Sequence, residues 1–98
     1  MNAPCELQVT EGPLKGKRYS VPESGLKLGR SSSCDIAIPD LALSRNQCLF
    51  ELRDGAIWVT DLASANGTTV NGLAINQSEL FDGDIIEIGK SRLEFREA

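Results

Sequence analysis

The chain has no histidine, one tryptophan, one tyrosine, one methionine and three cysteines in 98 residues. Without histidine it lacks the commonest general base and the commonest metal ligand. Cys5, Cys34 and Cys48 are odd in number and match no zinc or redox spacing, so they read as small, partly buried hydrophobes. No apolar run approaches the ~20 residues of a membrane helix. The start, Met1-Asn2-Ala3-Pro4, lacks the charged and apolar pattern of a signal peptide. A reducing, cytoplasmic setting without membrane insertion is the expectation.

Charge of one sign is also scarce where a nucleic-acid binder would need it. The formal net charge is −4. Residues 1–45 hold six basic against five acidic residues; residues 46–98 hold four against nine. Neutralising many phosphates needs clustered cations, so no nucleic-acid partner is expected. A local cationic spot remains able to hold one phosphate. No nucleophile lies beside a plausible base, and no metal-ligand cluster appears, so neither an enzyme nor a cofactor is expected.

The hydrophobic pattern has period two. Leu7 and Val9, Ile36 and Ile38, Cys48, Phe50 and Leu52, Ile57 and Val59, Ile86 and Ile88, and Leu93 and Phe95 each alternate with other residues. Turn signals such as Pro39-Asp40, Asp54-Gly55, Asn66-Gly67, Asn71-Gly72 and Asp82-Gly83 separate the runs. Residues 40–46 have room for one short helical turn. The pattern predicts an all-β, two-sheet sandwich of about ten to eleven short antiparallel strands, with binding loops at one edge. The expected unit is one domain over residues 1–98, excised from a larger protein.

Two polar loops carry the chemistry. Gly29-Arg30 follows one strand run, with Ser44-Arg45 behind it; Ser64-Ala65-Asn66-Gly67-Thr68 follows another. A guanidinium fork suits phosphate, a hydroxyl adds a donor, and a carboxamide can clasp a peptide backbone. Plainer readings stand beside these. Arg30 would pair with Asp35 or Asp40, Ser44 would cap a turn, and Asn66-Gly67 would be a hairpin turn. Trp58 is out of phase with Ile57 and Val59 and would cover an outer sheet face or mark a contact surface. Lys15, Lys17 and Arg18 read as a solvated edge or as a dock for an acidic partner. Asp82, Asp84 and Glu87 lack calcium-loop spacing.

Taken together, Gly29-Arg30, the segment from Cys34 to Asp40, Leu43-Ser44-Arg45, the segment from Asp61 to Gly72, and that from Leu80 to Gly89 resemble the forkhead-associated (FHA) domain family. The resemblance implies an eleven-stranded sandwich that binds a threonine-phosphorylated protein or peptide, either in another protein or within its own parent chain. It assigns Arg30, Ser44 and Arg45 to the phosphate and Asn66 to the peptide backbone. Gly29 and Gly67 would shape the loops. Ser31, Ser33 and Ser64 are auxiliary candidates.

Two departures from the family pattern matter. Gln47 stands where relatives carry a histidine that braces the serine loop; its amide also offers a donor and an acceptor. Ala65 stands where relatives often carry a hydroxyl near the phosphate, a loss worth roughly 0.5–1.5 kcal/mol. They motivate the alternative, a phospho-independent interaction module of the same fold with a degenerate phosphate pocket. Leu41, Ala42 and Leu43 precede Ser44, and an apolar preference is expected at the third peptide residue after the phosphothreonine, which this loop helps to read in the family.

Overall fold

The computed structural model describes residues 5–97. Eleven strands run in chain order: β1 Cys5–Glu11, β2 Arg18–Ser20, β3 Leu26–Gly29, β4 Ile36–Ala37, β5 Cys48–Arg53 and β6 Ala56–Asp61. They continue as β7 Thr68–Val70, β8 Leu73–Ile75, β9 Gln77–Glu79, β10 Ile85–Ile88 and β11 Ser91–Glu97. One sheet has the order β2-β1-β11-β10-β7-β8, the other β4-β3-β5-β6-β9. Among the described residues no helix is long and apolar enough to cross a membrane.

The period-two pattern sets the sandwich. Leu7, Val9, Ile86, Ile88, Leu93 and Phe95 point inward from the six-stranded sheet, each at most 1% exposed. Leu28, Ile36, Cys48, Phe50 and Val59 meet them from the other sheet. Burying each large side chain contributes about 1.5–3 kcal/mol, so the alternation also fixes register: a one-residue slip would turn the set outward. Leu52, at the end of its run, is only half-buried. Trp58 lies on the outer face of its sheet, with the Arg53 guanidinium 5.4 Å from its ring centroid.

Three details differ from the sequence reading. The pairing of β3 with β4 is parallel, with Leu28 opposite Ile36 and Gly29 opposite Ala37. A parallel pair usually needs a long crossover. Here β4 has only two residues, and a compact loop closed by Ser31 and Ser33 returns the chain beside β3. Residues 40–46 form no helix; one β-turn closes with the Leu43 N–H on the Asp40 carbonyl, 3.0 Å. Asp54-Gly55 and Asn71-Gly72 make tight hairpins, with positive φ at both residues of each pair. Asn66-Gly67 does not, because its loop carries the chain from β6 in one sheet to β7 in the other.

The remaining charged clusters have local partners. Arg18 lies 3.9 Å from Glu6 on the sheet edge. Asp82 accepts the Glu97 N–H, Asp84 accepts from Asn71 and the Phe81 N–H, and Glu87 pairs with Arg92. Among the described residues no group of acidic or sulfur side chains is arranged to hold a metal ion.

Candidate functional site

Three loops meet at one edge of the sandwich: residues 30–35 after β3, 38–47 before β5, and 62–67 after β6. Backbone bonds join the first two. The Arg30 N–H donates to the Ser44 carbonyl at 3.0 Å, and the Ser31 N–H to the Arg45 carbonyl at 3.1 Å. Gly29 makes this approach possible. A methyl there would lie 2.8 Å from the Arg45 carbonyl carbon, nearer still to its oxygen, and 3.0 Å from the Gln47 nitrogen. A methyl at Gly67, where φ is +85°, would meet none of the described atoms within 4 Å, so the absence of a side chain there serves the turn.

Side chains join the third loop. Gln47 is fully buried. Its Oε1 accepts the Ser44 N–H at 3.0 Å. Its Nε2 donates to the Gly67 carbonyl at 2.8 Å and to Thr68 Oγ1 at 3.2 Å. Glutamine therefore ties the serine loop to the asparagine loop. Ser44 Oγ accepts the Ala65 N–H at 2.8 Å, and Asn66 Nδ2 donates to the Ala42 carbonyl at 2.8 Å.

What remains unspent defines what the site can bind. Arg30 is exposed, and its Nε donates to the Leu43 carbonyl at 3.2 Å. Among the described residues no carboxylate pairs with Arg30 or Arg45. The plainer reading of Arg30 is thus not what forms: Asp35 accepts the Lys27 N–H, and Asp40 the N–H groups of Ala42 and Lys90. The Ser44 hydroxyl retains its own proton to donate, and Asn66 keeps Oδ1 as an acceptor. The edge presents two cations, one hydroxyl donor and one amide oxygen on a preset frame.

The auxiliary serines are engaged with their own loops. Ser31 Oγ and Ser33 Oγ lie 2.9 Å apart. Ser64 Oγ donates to Asp61 Oδ1 at 2.6 Å and accepts the Gly67 N–H at 2.9 Å. Asp61, to which the motif spacing alone gave no role, is the hub of this loop. It also accepts from Thr68 Oγ1 at 2.7 Å and from the Ser64 N–H at 3.0 Å.

Burial alone would raise the Asp61 pKa; hydrogen bonds from the Ser64 and Thr68 hydroxyls and the Ser64 N–H outweigh it and hold the carboxyl below its ordinary value. Such a group binds fewer protons folded than unfolded. Its stabilisation is full above the unfolded value, about pH 4, and is lost as pH falls through the lower folded value. Asp61→Asn should lower stability at neutral pH and flatten the loss below about pH 4. Urea unfolding at stepped pH tests this; an unchanged acid limb would remove Asp61 as a contributor. Nearby, burial and then Asp61 push the Cys48 thiol far above its usual range, so it is inert at neutral pH.

With this geometry established, the comparisons with known proteins agree on a class. The sequence model of the FHA domain matches residues 26–89. The chain belongs to the FHA domain family. It is 37% identical over 89 residues to the glycogen accumulation regulator GarA of Mycolicibacterium smegmatis, covering 91% of this chain and 56% of GarA. It is 38% identical over 91 residues to the oxoglutarate dehydrogenase inhibitor of Corynebacterium diphtheriae, covering 93% of this chain and 64% of the inhibitor. The chain thus spans less than two thirds of these relatives. A solved FHA domain, from work on phosphothreonine-dependent FHA interactions, superposes with a TM-score of 0.87 at 30% identity over 95% of both chains.

Proposed function

We propose that this domain is a phosphothreonine-dependent peptide-binding module that acts by docking a partner, not by catalysis. The observation that carries this reading is Arg30: a guanidinium tethered at Nε, without a carboxylate partner among the described residues, in the loop bonded to that of Ser44. Arg30 and Arg45 would receive the dianionic phosphate, with the Ser44 hydroxyl on a further oxygen. Asn66 Oδ1 would accept a peptide N–H. Family membership and relatives named as a regulator and an inhibitor support a signalling role. The ligand would lie in another protein or in the parent chain. A reducing, cytoplasmic setting belongs to this reading, supported by the buried thiols Cys34 and Cys48 without a disulfide.

The alternative, phospho-independent binding, rests on Gln47 and Ala65. Gln47 argues against it, since the bracing of both loops is complete with glutamine. The deciding experiment is a titration with a degenerate phosphothreonine peptide library, beside the same library unphosphorylated and phosphoserine-substituted. Binding of the phosphothreonine library alone is expected. Equal binding of all three would sink the proposal and favour docking of a folded partner.

A further inference from the structure

At the end of the sandwich away from the phosphate loops, the strands are joined by residues 21–25, 54–55, 71–72 and 80–84. These connections hold Glu23, Asp54, Asp82 and Asp84 and no lysine or arginine. Among the described residues no cation forms an ion pair with any of the four. Asp82 and Asp84 do accept hydrogen bonds, but from uncharged groups: the N–H of Glu97, the N–H of Phe81 and the Asn71 amide. The connections at the phosphate end hold Lys15, Lys17, Arg30, Arg45 and Lys90, against Asp35 and the buried Asp40. The domain therefore has a positive and a negative end, and the negative end lacks a counter-charge.

The negative end is also where apolar side chains are left in water. Among the described residues the exposed large hydrophobics are Leu41, Leu73 and Phe81. Leu41 belongs to the phosphate end, the other two to the far end. Leu73 stands opposite Val70 and so shares its inward face. Val70 is 7% exposed and Leu73 72%, so the opposing sheet leaves this end of β8 uncovered. Phe81, 60% exposed, follows the buried Leu80 between β9 and β10. One carboxylate fastens both segments. Asp84 Oδ1 accepts from Asn71 Nδ2 at 2.9 Å, in the hairpin that Leu73 closes, and Oδ2 accepts the Phe81 N–H at 2.8 Å. Asn71 Oδ1 accepts the Ile85 N–H at 2.9 Å. A single exposed leucine is ordinary. Two anchors on one bonded frame, beside unpaired carboxylates, spare a partner the cost of ordering them.

We infer that this end is a second docking surface, which takes an unphosphorylated polypeptide segment that carries apolar side chains beside lysine or arginine. Leu73 and Phe81 anchor the apolar side chains, and the field of Asp82 and Asp84 draws the cations. The same field repels acidic segments, nucleic acid and anionic lipid. The inference does not depend on the phosphothreonine reading. Because the surface lies at the other end of the strands from Arg30 and Ser44, a partner docked here leaves the phosphate loops open. The domain then joins two ligands instead of exchanging one for the other.

The probe is an unphosphorylated peptide library of mixed lysine and leucine composition, titrated into the isotope-labelled domain and followed by backbone amide shifts. Two control libraries stand beside it, one with glutamate for lysine and one with alanine for leucine. Only the first should bind, and the shifted amides should centre on Leu73 and Phe81. Phe81→Ser should weaken it roughly tenfold or more, the scale of one large apolar side chain no longer buried. Leu73→Ser, at an equally open position, repeats that substitution should Phe81→Ser lower the thermal melt. Asp82→Asn keeps an oxygen for the Glu97 N–H and should weaken binding up to roughly fivefold, a difference that added salt removes. Arg30→Ala should leave the affinity unchanged. Absence of binding, equal binding of the glutamate library, shifts centred on the phosphate loops, or full affinity in both serine variants overturns the proposal. Self-association of the domain that Phe81→Ser abolishes assigns the surface to a second copy and overturns it as well.

Discussion

Arg30→Ala should reduce affinity for a phosphothreonine peptide by roughly a hundredfold or more while leaving the fold intact. A guanidinium that holds a phosphate supplies charge-assisted hydrogen bonds worth about 1.5–3 kcal/mol each, and every 1.4 kcal/mol is tenfold in affinity. The folded state loses little in exchange. Arg30 is exposed and, among the described residues, makes one side-chain bond, from Nε to the Leu43 carbonyl. Its removal should shift stability by no more than about 0.5–1 kcal/mol. Arg30→Lys separates fork from charge: it keeps the cation but not the planar pair of donors, and should fall between the two. Calorimetric titration beside a thermal melt reads both quantities. Lost binding with an unfolded melt would make Arg30 a structural residue; unchanged binding would move the phosphate elsewhere.

The second large effect is on stability. Gln47→Leu nearly preserves volume, so the cavity cost is small and the polar cost is isolated. Three hydrogen bonds disappear. Thr68 Oγ1 retains Asp61, but the Ser44 N–H and the Gly67 carbonyl lose the partners described. Two such groups without partners cost about 1–3 kcal/mol each where water cannot reach them. A loss of roughly 2–6 kcal/mol follows, a fall of about 8 °C or more in melting temperature for a domain of this size. Peptide affinity should also fall, because the buried tie between the serine and asparagine loops is lost and only the bonds of Ser44 with Ala65 and of Asn66 with Ala42 still join them. Gln47→His is the informative companion: an imidazole keeps one donor and one acceptor and should recover most of the loss. If Gln47→Leu melted like the parent, the brace would carry no weight.

Much of the fold could be read from the chain because alternation is a local signal. Leu7 and Val9, or Ile86 and Ile88, announce an inward face whatever lies opposite. Pairing direction is not local. Nothing in Ile36-Ala37 distinguishes a parallel partner from an antiparallel one, since that depends on how residues 30–35 fold back. Asn66-Gly67 shows the same limit. The dipeptide supplies a positive φ, and only the sheet membership of β6 and β7 decides that the turn bridges layers.

At the site, residue types were legible and their allegiances were not. Ser64 and Ser31 carry the hydroxyls a phosphate would want, yet both hydroxyls are engaged within their own loops. Leu43 looked like a ligand contact because it sits between Ala42 and Ser44; the β-turn from Asp40 rotates it into the core. Asp40 and Lys90 are 50 positions apart, so no spacing rule joins them. A buried carboxylate that serves two distant backbone N–H groups leaves no trace in a motif.

The bonds that run from loop to loop also govern how this edge can be remade. Ala65 with Ser44, Asn66 with Ala42, Gln47 with Gly67 and Asp40 with Lys90 each join segments from different parts of the chain. Grafting one loop from another domain would sever partners held by the rest, so the edge is a unit of inheritance and of engineering. Leu41 lies outside these side-chain bonds, at 91% exposure, and offers a position where new ligand contacts can be introduced without disturbing the frame.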